Sequence, residues 1–131
     1  MIGIHTITFD CERPHELAQW WSRATGWPIV GYEPGDDEVL IESPADRPRQ
    51  PLLLFIRVPE GKTVKNRLHL DVWPVDDATR DEEIERLIAL GAESHEDHRN
   101  ADGTGWMTLL DPEGNEFCVV RGEAERAARA T

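Results

Sequence analysis

His5, His69, Asp71, Glu116 and Cys118 are the side chains of this sequence with the chemistry to hold a metal ion or grip a small organic molecule. Imidazole and carboxylate suit Zn, Fe, Ni or Mn, and a thiolate shifts preference toward softer ions such as Zn. An open coordination position on such an ion would bind a substrate or activate a water. Two histidines in opposite halves of the chain carry little by themselves, because a histidine on a half-buried strand is commonly a hydrogen-bonded structural residue. Their surroundings carry more. His5-Thr6-Ile7-Thr8-Phe9-Asp10 leads into a helix-like segment and then Gly26, while His69-Leu70-Asp71-Val72-Trp73 leads into a second such segment and then Gly91. The interval from histidine to glycine is nearly the same in both. The chain therefore contains a repeated strand–helix unit. The repeat makes His5 equivalent to His69 and predicts that the two meet across a pseudo-axis.

The elements that must position these groups follow from periodicity. Ile2 to Asp10 alternates as a strand. Pro14 suits a first helical turn, Leu17, Trp21 and Ala24 fall on one helical face, and Gly26 caps the end. Trp20 lies beside that stripe, and helix-to-sheet packing is the simpler reading of Trp20-Trp21 than a ligand platform. Trp27–Glu33, Glu38–Ser43 and Leu52–Val58 read as strands, with a proline-rich loop from Pro44 to Pro51. Pro59 to Lys65 is the expected junction. Leu68–Trp73 opens the second half. Thr79 with Glu82 fits a capping box, Ile84, Leu87 and Ile88 form a buried stripe, and Gly91 closes the helix. Ala92–Asp97, Trp106–Leu110 and Glu116–Val120 read as strands, with Asp111 to Asn115 a tight turn. Glu123 to Ala130 fits a short helix or a frayed tail.

The expected fold is α+β: two tandem βαβββ modules with pseudo-two-fold symmetry, forming a curved mixed sheet around a shared cavity. Residues 1–131 form one domain, with module one about 1–62, module two about 63–122 and a tail at 123–131. Alternation puts Leu68, Leu70 and Val72 on the helix-covered side and His69, Asp71 and Trp73 on the cavity side. Glu116 and Cys118 share a face, although Glu116, close to the turn, is expected at a solvated strand edge. His95-Glu96-Asp97-His98 has the composition of a metal cluster, but a strand spacing of three sends the two histidines to opposite faces, and a solvated acidic loop is the simpler account. His15 is expected to be exposed and Cys11 to be a small buried hydrophobe. Asn100 to Gly105 reads as an ordinary hairpin loop rather than a mobile lip. Trp73 and Trp106 are candidates to line the pocket, with core packing the simpler account of each.

The net charge of −12 argues against nucleic-acid partners, which need basic surface, and against anionic membranes. Two cysteines, Cys11 and Cys118, make no disulfide framework. The N-terminal residues lack the pattern of a signal peptide, and no run approaches the ~20 apolar residues of a membrane span. The chain reads as cytoplasmic.

Three strings carry a family resemblance: His5 to Asp10 with Gly26-Trp27, Lys65-Asn66-Arg67-Leu68-His69-Leu70-Asp71-Val72, and Asp111-Pro112-Glu113-Gly114-Asn115-Glu116-Phe117-Cys118. From His5 to Val120 the chain resembles the glyoxalase-like proteins of the vicinal oxygen chelate superfamily, which includes glyoxalase I, fosfomycin-resistance enzymes, extradiol dioxygenases and bleomycin-resistance proteins. The resemblance implies ligands from the first and last strands of each module, hence one divalent metal at His5, His69 and Cys118, with Glu116 as the alternative third ligand. Cys118 stands where the family's glutamate usually does, four residues after the turn glycine, and Leu52 to Ile56 offers no ligand. Classical glyoxalase I chemistry is not expected, because its paired acid–base residues are not both present. Metal-bound and metal-free sites both stay open. The first gives a lyase, transferase or dioxygenase acting on a small oxygen-rich substrate. The second gives a binding or sequestration protein of the bleomycin-resistance type, in which His5, His69, Asp71, Trp73 and Trp106 contact the ligand. The resemblance also implies a homodimer.

Overall fold

A computed structural model describes residues 1–47 and 49–130. Pro48, in the expected proline-rich loop, and Thr131, at the end of the expected tail, lie outside the described residues. The chain divides into two compact units, Met1–Thr63 and Val64–Thr131.

The first unit runs β1 (Thr6–Cys11), α1 (Pro14–Thr25), β2 (Ile29–Val30), β3 (Glu38–Ile41) and β4 (Leu52–Arg57). Its sheet has the order β1-β4-β3-β2, with β1 parallel to β4 and the other pairs antiparallel. Pro14 opens α1, and Gly26 ends it at φ 76°, a left-handed conformation that glycine adopts without a Cβ penalty. Leu17, Trp20 and Trp21 are buried with Val39, Ile41, Leu53 and Phe55. Trp21 meets Phe9, and Phe9 stacks on Phe55, so the tryptophan pair serves helix-to-sheet packing. Cys11 is buried as expected. His15 departs from expectation: it is half-buried and stacks on Tyr32 at 3.9 Å.

The second unit repeats the order with β5 (Asp71–Val72), α2 (Arg80–Ala89), β6 (Glu93–Arg99), β7 (Gly105–Leu110) and β8 (Glu116–Val119), then adds α3 (Glu123–Ala130). Its sheet order is β5-β8-β7-β6, again with the first strand parallel to the last. The Thr79–Glu82 capping box forms in both directions. Ile84 and Leu87 are buried, and α2 packs on β8. Ile88, expected in the same stripe, is 39% exposed. Leu68, expected on the helix-covered side, is 78% exposed, because pairing begins only at Leu70, whose carbonyl accepts the Cys118 N–H. The strand expected from Leu68 to Trp73 thus shortens to the two residues that β8 can pair.

Arg80 organises the β6–β7 hairpin from the start of α2. Its guanidinium is almost fully buried and donates through Nη1 to the carbonyls of Gly103, Thr104 and Gly105 at 3.1–3.2 Å. Asp81 accepts from both Arg80 and Arg99, and Asp97 pairs with Arg99 in turn. The Asn100–Gly105 loop is accordingly a tied hairpin. Burial raises the Asp81 pKa, but the hydrogen bonds from Arg80 and Arg99 outweigh it and hold the carboxyl below its ordinary value. At Gly105, φ is 90° and an added Cβ would meet the His98 carbonyl oxygen at 2.0 Å.

Two outcomes follow. Gly105→Ala lowers the unfolding free energy by on the order of 1–3 kcal/mol through backbone conformation, with the contact added on top, as measured by urea titration. A folded-state pKa below the unfolded one gives stability that is present above pH 3.8 and lost as pH falls below it. Asp81→Asn removes part of that acid-side loss, so its melting temperature declines less than wild type between pH 5 and pH 3.

Candidate metal and ligand site of the second unit

Register decides which side chains share a face of the second sheet. Asp71 lies opposite Cys118 and Cys118 opposite Thr108, so these three stand on one face. Val72, Val119, Met107, Leu109 and Phe117 take the other, which packs on α2. Met107, Leu109, Phe117 and Val119 on this face belong to the buried core, and Val72 is half-buried. The polar face is left for chemistry.

On that face His69, Asp71 and Cys118 converge, each offering one ligand atom within 4.8 Å of the others. His69 Nδ1 is 3.7 Å from Asp71 Oδ1 and 3.9 Å from Cys118 Sγ. A tetrahedral zinc ion with bonds of about 2.0–2.3 Å separates its ligand atoms by about 3.3–3.8 Å. Both measured separations fall close to that range, and imidazole, carboxylate and thiolate are all zinc ligands, so this donor set fits such an ion. It does not fit a nucleophilic relay. In a Cys–His–Asp relay the thiol and the carboxylate contact different ring nitrogens, whereas here both face Nδ1. Burial, followed by the neighbouring Asp71 carboxylate, pushes the Cys118 thiol up from its ordinary value, partly opposed by its hydrogen bond with Thr108 at 3.4 Å. Without a cation the sulfur is therefore a protonated thiol at neutral pH. A metal ion would have to displace that proton.

Glu116 does not join this group. It is 8% exposed, not at a solvated edge, and its Oε2 accepts the Asn66 N–H at 2.9 Å. Asn66 Oδ1 accepts the Glu116 N–H at 2.9 Å in return. This reciprocal clamp ties the segment entering His69 to the start of β8. The turn beneath it is held by Asp111, which accepts from the backbone of Glu113 and Asn115 and from the Asn115 amide. Much of the Asp-Pro-Glu-Gly-Asn-Glu string is thus positioning hardware. Sequence reasoning missed the clamp, since its partners lie 50 residues apart. Thr108 was also missed, although counting outward from the turn pairs it with Cys118.

Trp73, one residue past β5, and Trp106 continue the alternation of the polar face. They are 45% and 42% exposed, so neither is core. Arg126 lies 5.9 Å over Trp73, and His98 stacks on Trp106 at 4.7 Å. The acidic cluster also differs from expectation. It lies within β6, where a register shift between Ser94 and Glu96 inserts His95 as an extra residue. Beyond the bulge alternation puts His98 on the face of Glu96, at 2.9 Å, and the inserted His95 lies 3.8 Å from the same carboxylate. The hydrogen bond from His98 leads the lowering of the Glu96 pKa. His5 belongs to the first unit, where it is exposed just before β1 beside Thr6.

A family model for a glyoxalase-like domain matches residues 6–120. The chain belongs to the glyoxalase-like domain family. No curated protein sequence matches it. Solved structures with the fold of this glyoxalase-like protein include the fosfomycin resistance protein FosX of Listeria monocytogenes, complexed with Mn(II) and 1S,2S-dihydroxypropylphosphonic acid. That chain is 18% identical, with a TM-score of 0.68 and 100% of each chain covered. Protein ATC0852 of Agrobacterium tumefaciens is 18% identical with a TM-score of 0.69, covering 92% of this chain and 97% of its own. TioX of Micromonospora sp. ML1 is 18% identical with a TM-score of 0.59, covering 91% and 98%. These likenesses establish the vicinal oxygen chelate fold. Among the described residues no helix is long and apolar enough to cross a membrane.

Asn66→Ala leaves the Glu116 N–H without its acceptor and costs about 1–3 kcal/mol in chemical denaturation. A loss below about 0.5 kcal/mol, the scale of ordinary surface substitutions, would show that the clamp does not hold the segment.

Proposed function

We propose that residues 1–131 act as one glyoxalase-like domain whose second unit binds a divalent ion and holds a small oxygen-bearing organic molecule beside it. The carrying observation is the spacing of His69, Asp71 and Cys118 at separations close to those of a tetrahedral ligand set. Three protein ligands leave a coordination position open, the arrangement of a catalytic rather than a structural site. A bound ion would supply Lewis acidity there. Cys118 is the soft member of the set and favours zinc over the manganese held by FosX. Trp73 and Trp106 follow the group at the same end of the polar face and offer apolar surface to the organic part of the ligand. A lyase, transferase or dioxygenase reaction and a homodimer are further expectations of the family. The alternative, metal-free sequestration of a small molecule, draws on the same two tryptophans and on the protonated thiol.

Titration of chelator-treated, tag-free protein with Zn(II) separates the two readings. The expected result is one equivalent bound, with release of the Cys118 proton at neutral pH. Affinity should fall by about tenfold or more in His69→Ala, Asp71→Ala and Cys118→Ser, since each loses one charge-bearing or lone-pair ligand. His5→Ala is measured beside them; unchanged affinity assigns the ion to the second-unit residues alone. Absence of stoichiometric binding, or wild-type affinity in all three second-unit variants, removes the metal reading and leaves sequestration.

A further inference from the structure

The first unit contains a cleft whose lining includes none of the donors of the proposed metal group. It lies where the chain leaves β3 and returns into β4, at the starting end of β1. The Leu52 N–H donates to the His5 carbonyl at 2.9 Å and so joins two of its lining residues. The cleft encloses about 280 Å³, and its polar lining comes from His5, Ser43, Arg47, Arg49, Gln50 and one carboxylate, Glu42.

Charge makes this lining unusual. In a chain of net charge −12, arginines normally find carboxylates, and elsewhere in this unit Arg13 meets Glu16 and Arg57 meets Asp37. Arg47 and Arg49 line the cleft, and among the described residues neither has an ion pair. Glu42 opposes them with one negative charge against two positive ones. Asp46 lies beside Arg47 in sequence but does not line the cleft. Two guanidiniums bring planar, permanently charged donor forks that match carboxylate and phosphate oxygens. Ser43 and Gln50 add neutral donors, and His5 adds an imidazole. Pro44 and Pro51 limit the backbone freedom of the loop that carries the arginines, which lowers the entropy lost on ordering it round a ligand.

We propose that this cleft is an oxyanion-binding site, taking a small carboxylate, phosphate or phosphonate through Arg47 and Arg49 with His5, Ser43 and Gln50 as supporting contacts. It is independent of the metal reading, because none of its residues belongs to the His69 group. The shared chemistry is a compact group with two or more anionic oxygens. Free anions and anionic groups on a larger metabolite both satisfy it.

The test uses the full chain at constant ionic strength, titrated separately with inorganic phosphate, methylphosphonate and acetate, and followed by NMR of the arginine Nε–H and backbone amides. The expected result is saturable shifts confined to residues 42–52 and His5 for at least one probe. Binding should weaken by about tenfold or more in the double variant Arg47→Gln/Arg49→Gln, the loss expected when charge-assisted hydrogen bonds are removed. These exposed loop substitutions leave the fold intact, which the amide spectrum verifies, and leave Zn(II) affinity unchanged. Tighter binding of phosphate and methylphosphonate than of acetate points to a phosphoryl or phosphonyl ligand; the reverse order points to a carboxylate. Linear, non-saturating shifts for all three probes, or equal affinity in wild type and double variant, would overturn the site. Failure here leaves the metal group standing, and failure of the Zn(II) titration leaves this site standing.

Discussion

Parallel pairing of β5 on β8 brings His69 and Cys118 together across 49 residues of sequence. The pairing is short. Two residues of β5 face two of β8, with the Leu70 and Val72 carbonyls accepting from Cys118 and Val120. So brief a ladder fixes little alone, because register is secured by many pairs or by an outside restraint. The restraint is the Asn66–Glu116 exchange, which fixes the approach to the strand before pairing begins. A one-residue slip would turn Asp71 toward α2 and put Val72 beside Cys118, carrying a carboxylate to the apolar face and an aliphatic side chain to the polar one. The clamp and the apolar core under β8 therefore act on the same choice, and the donor group follows from it.

Local chemistry was the legible part of the sequence. Pro14, Gly26 and the Thr79–Glu82 box announce helix ends, and the structure contains those ends. The repeat announced two βαβββ units, and the two sheets share one strand order. Strand lengths were less legible. Alternation describes a chain's capacity to be a strand, whereas the partner decides how much of it pairs, as at Leu68 to Trp73. The site was half legible. Alternation correctly grouped His69 with Asp71 and Glu116 with Cys118, yet it could not say that Glu116 is occupied by Asn66. Nor could spacing foresee the bulge at His95, since an inserted residue changes the facing of everything beyond it. Arg80 carries no local signal of its task, and only the fold supplies the three carbonyls that it serves.

The two units show how one scaffold diverges. In each, the first strand lies parallel to the last, and one sheet face takes the helix. On the opposite face the first unit sets Thr6 against Leu52 and Thr8 against Leu54, where the second sets Asp71 against Cys118 and Cys118 against Thr108. Hydroxyl and aliphatic pairs make a surface with little capacity for coordination. Carboxylate, thiol and imidazole make one with a great deal. The backbone is shared, and the chemistry rests on a handful of positions on the face away from the helix.

The kinked strand β6 has a further consequence for the life of the protein in a crowded solution. It forms the open border of its sheet, and every residue from Glu93 to Arg99 is exposed. A straight, apolar border of that length would invite a foreign chain to add itself as the next strand and so begin a fibre. Here the inserted His95 breaks the even ladder of free amides, and Glu93, Glu96, Asp97 and Arg99 surround it with charge. The border can stay bare without becoming sticky, and the sheet needs no further strand to cover it.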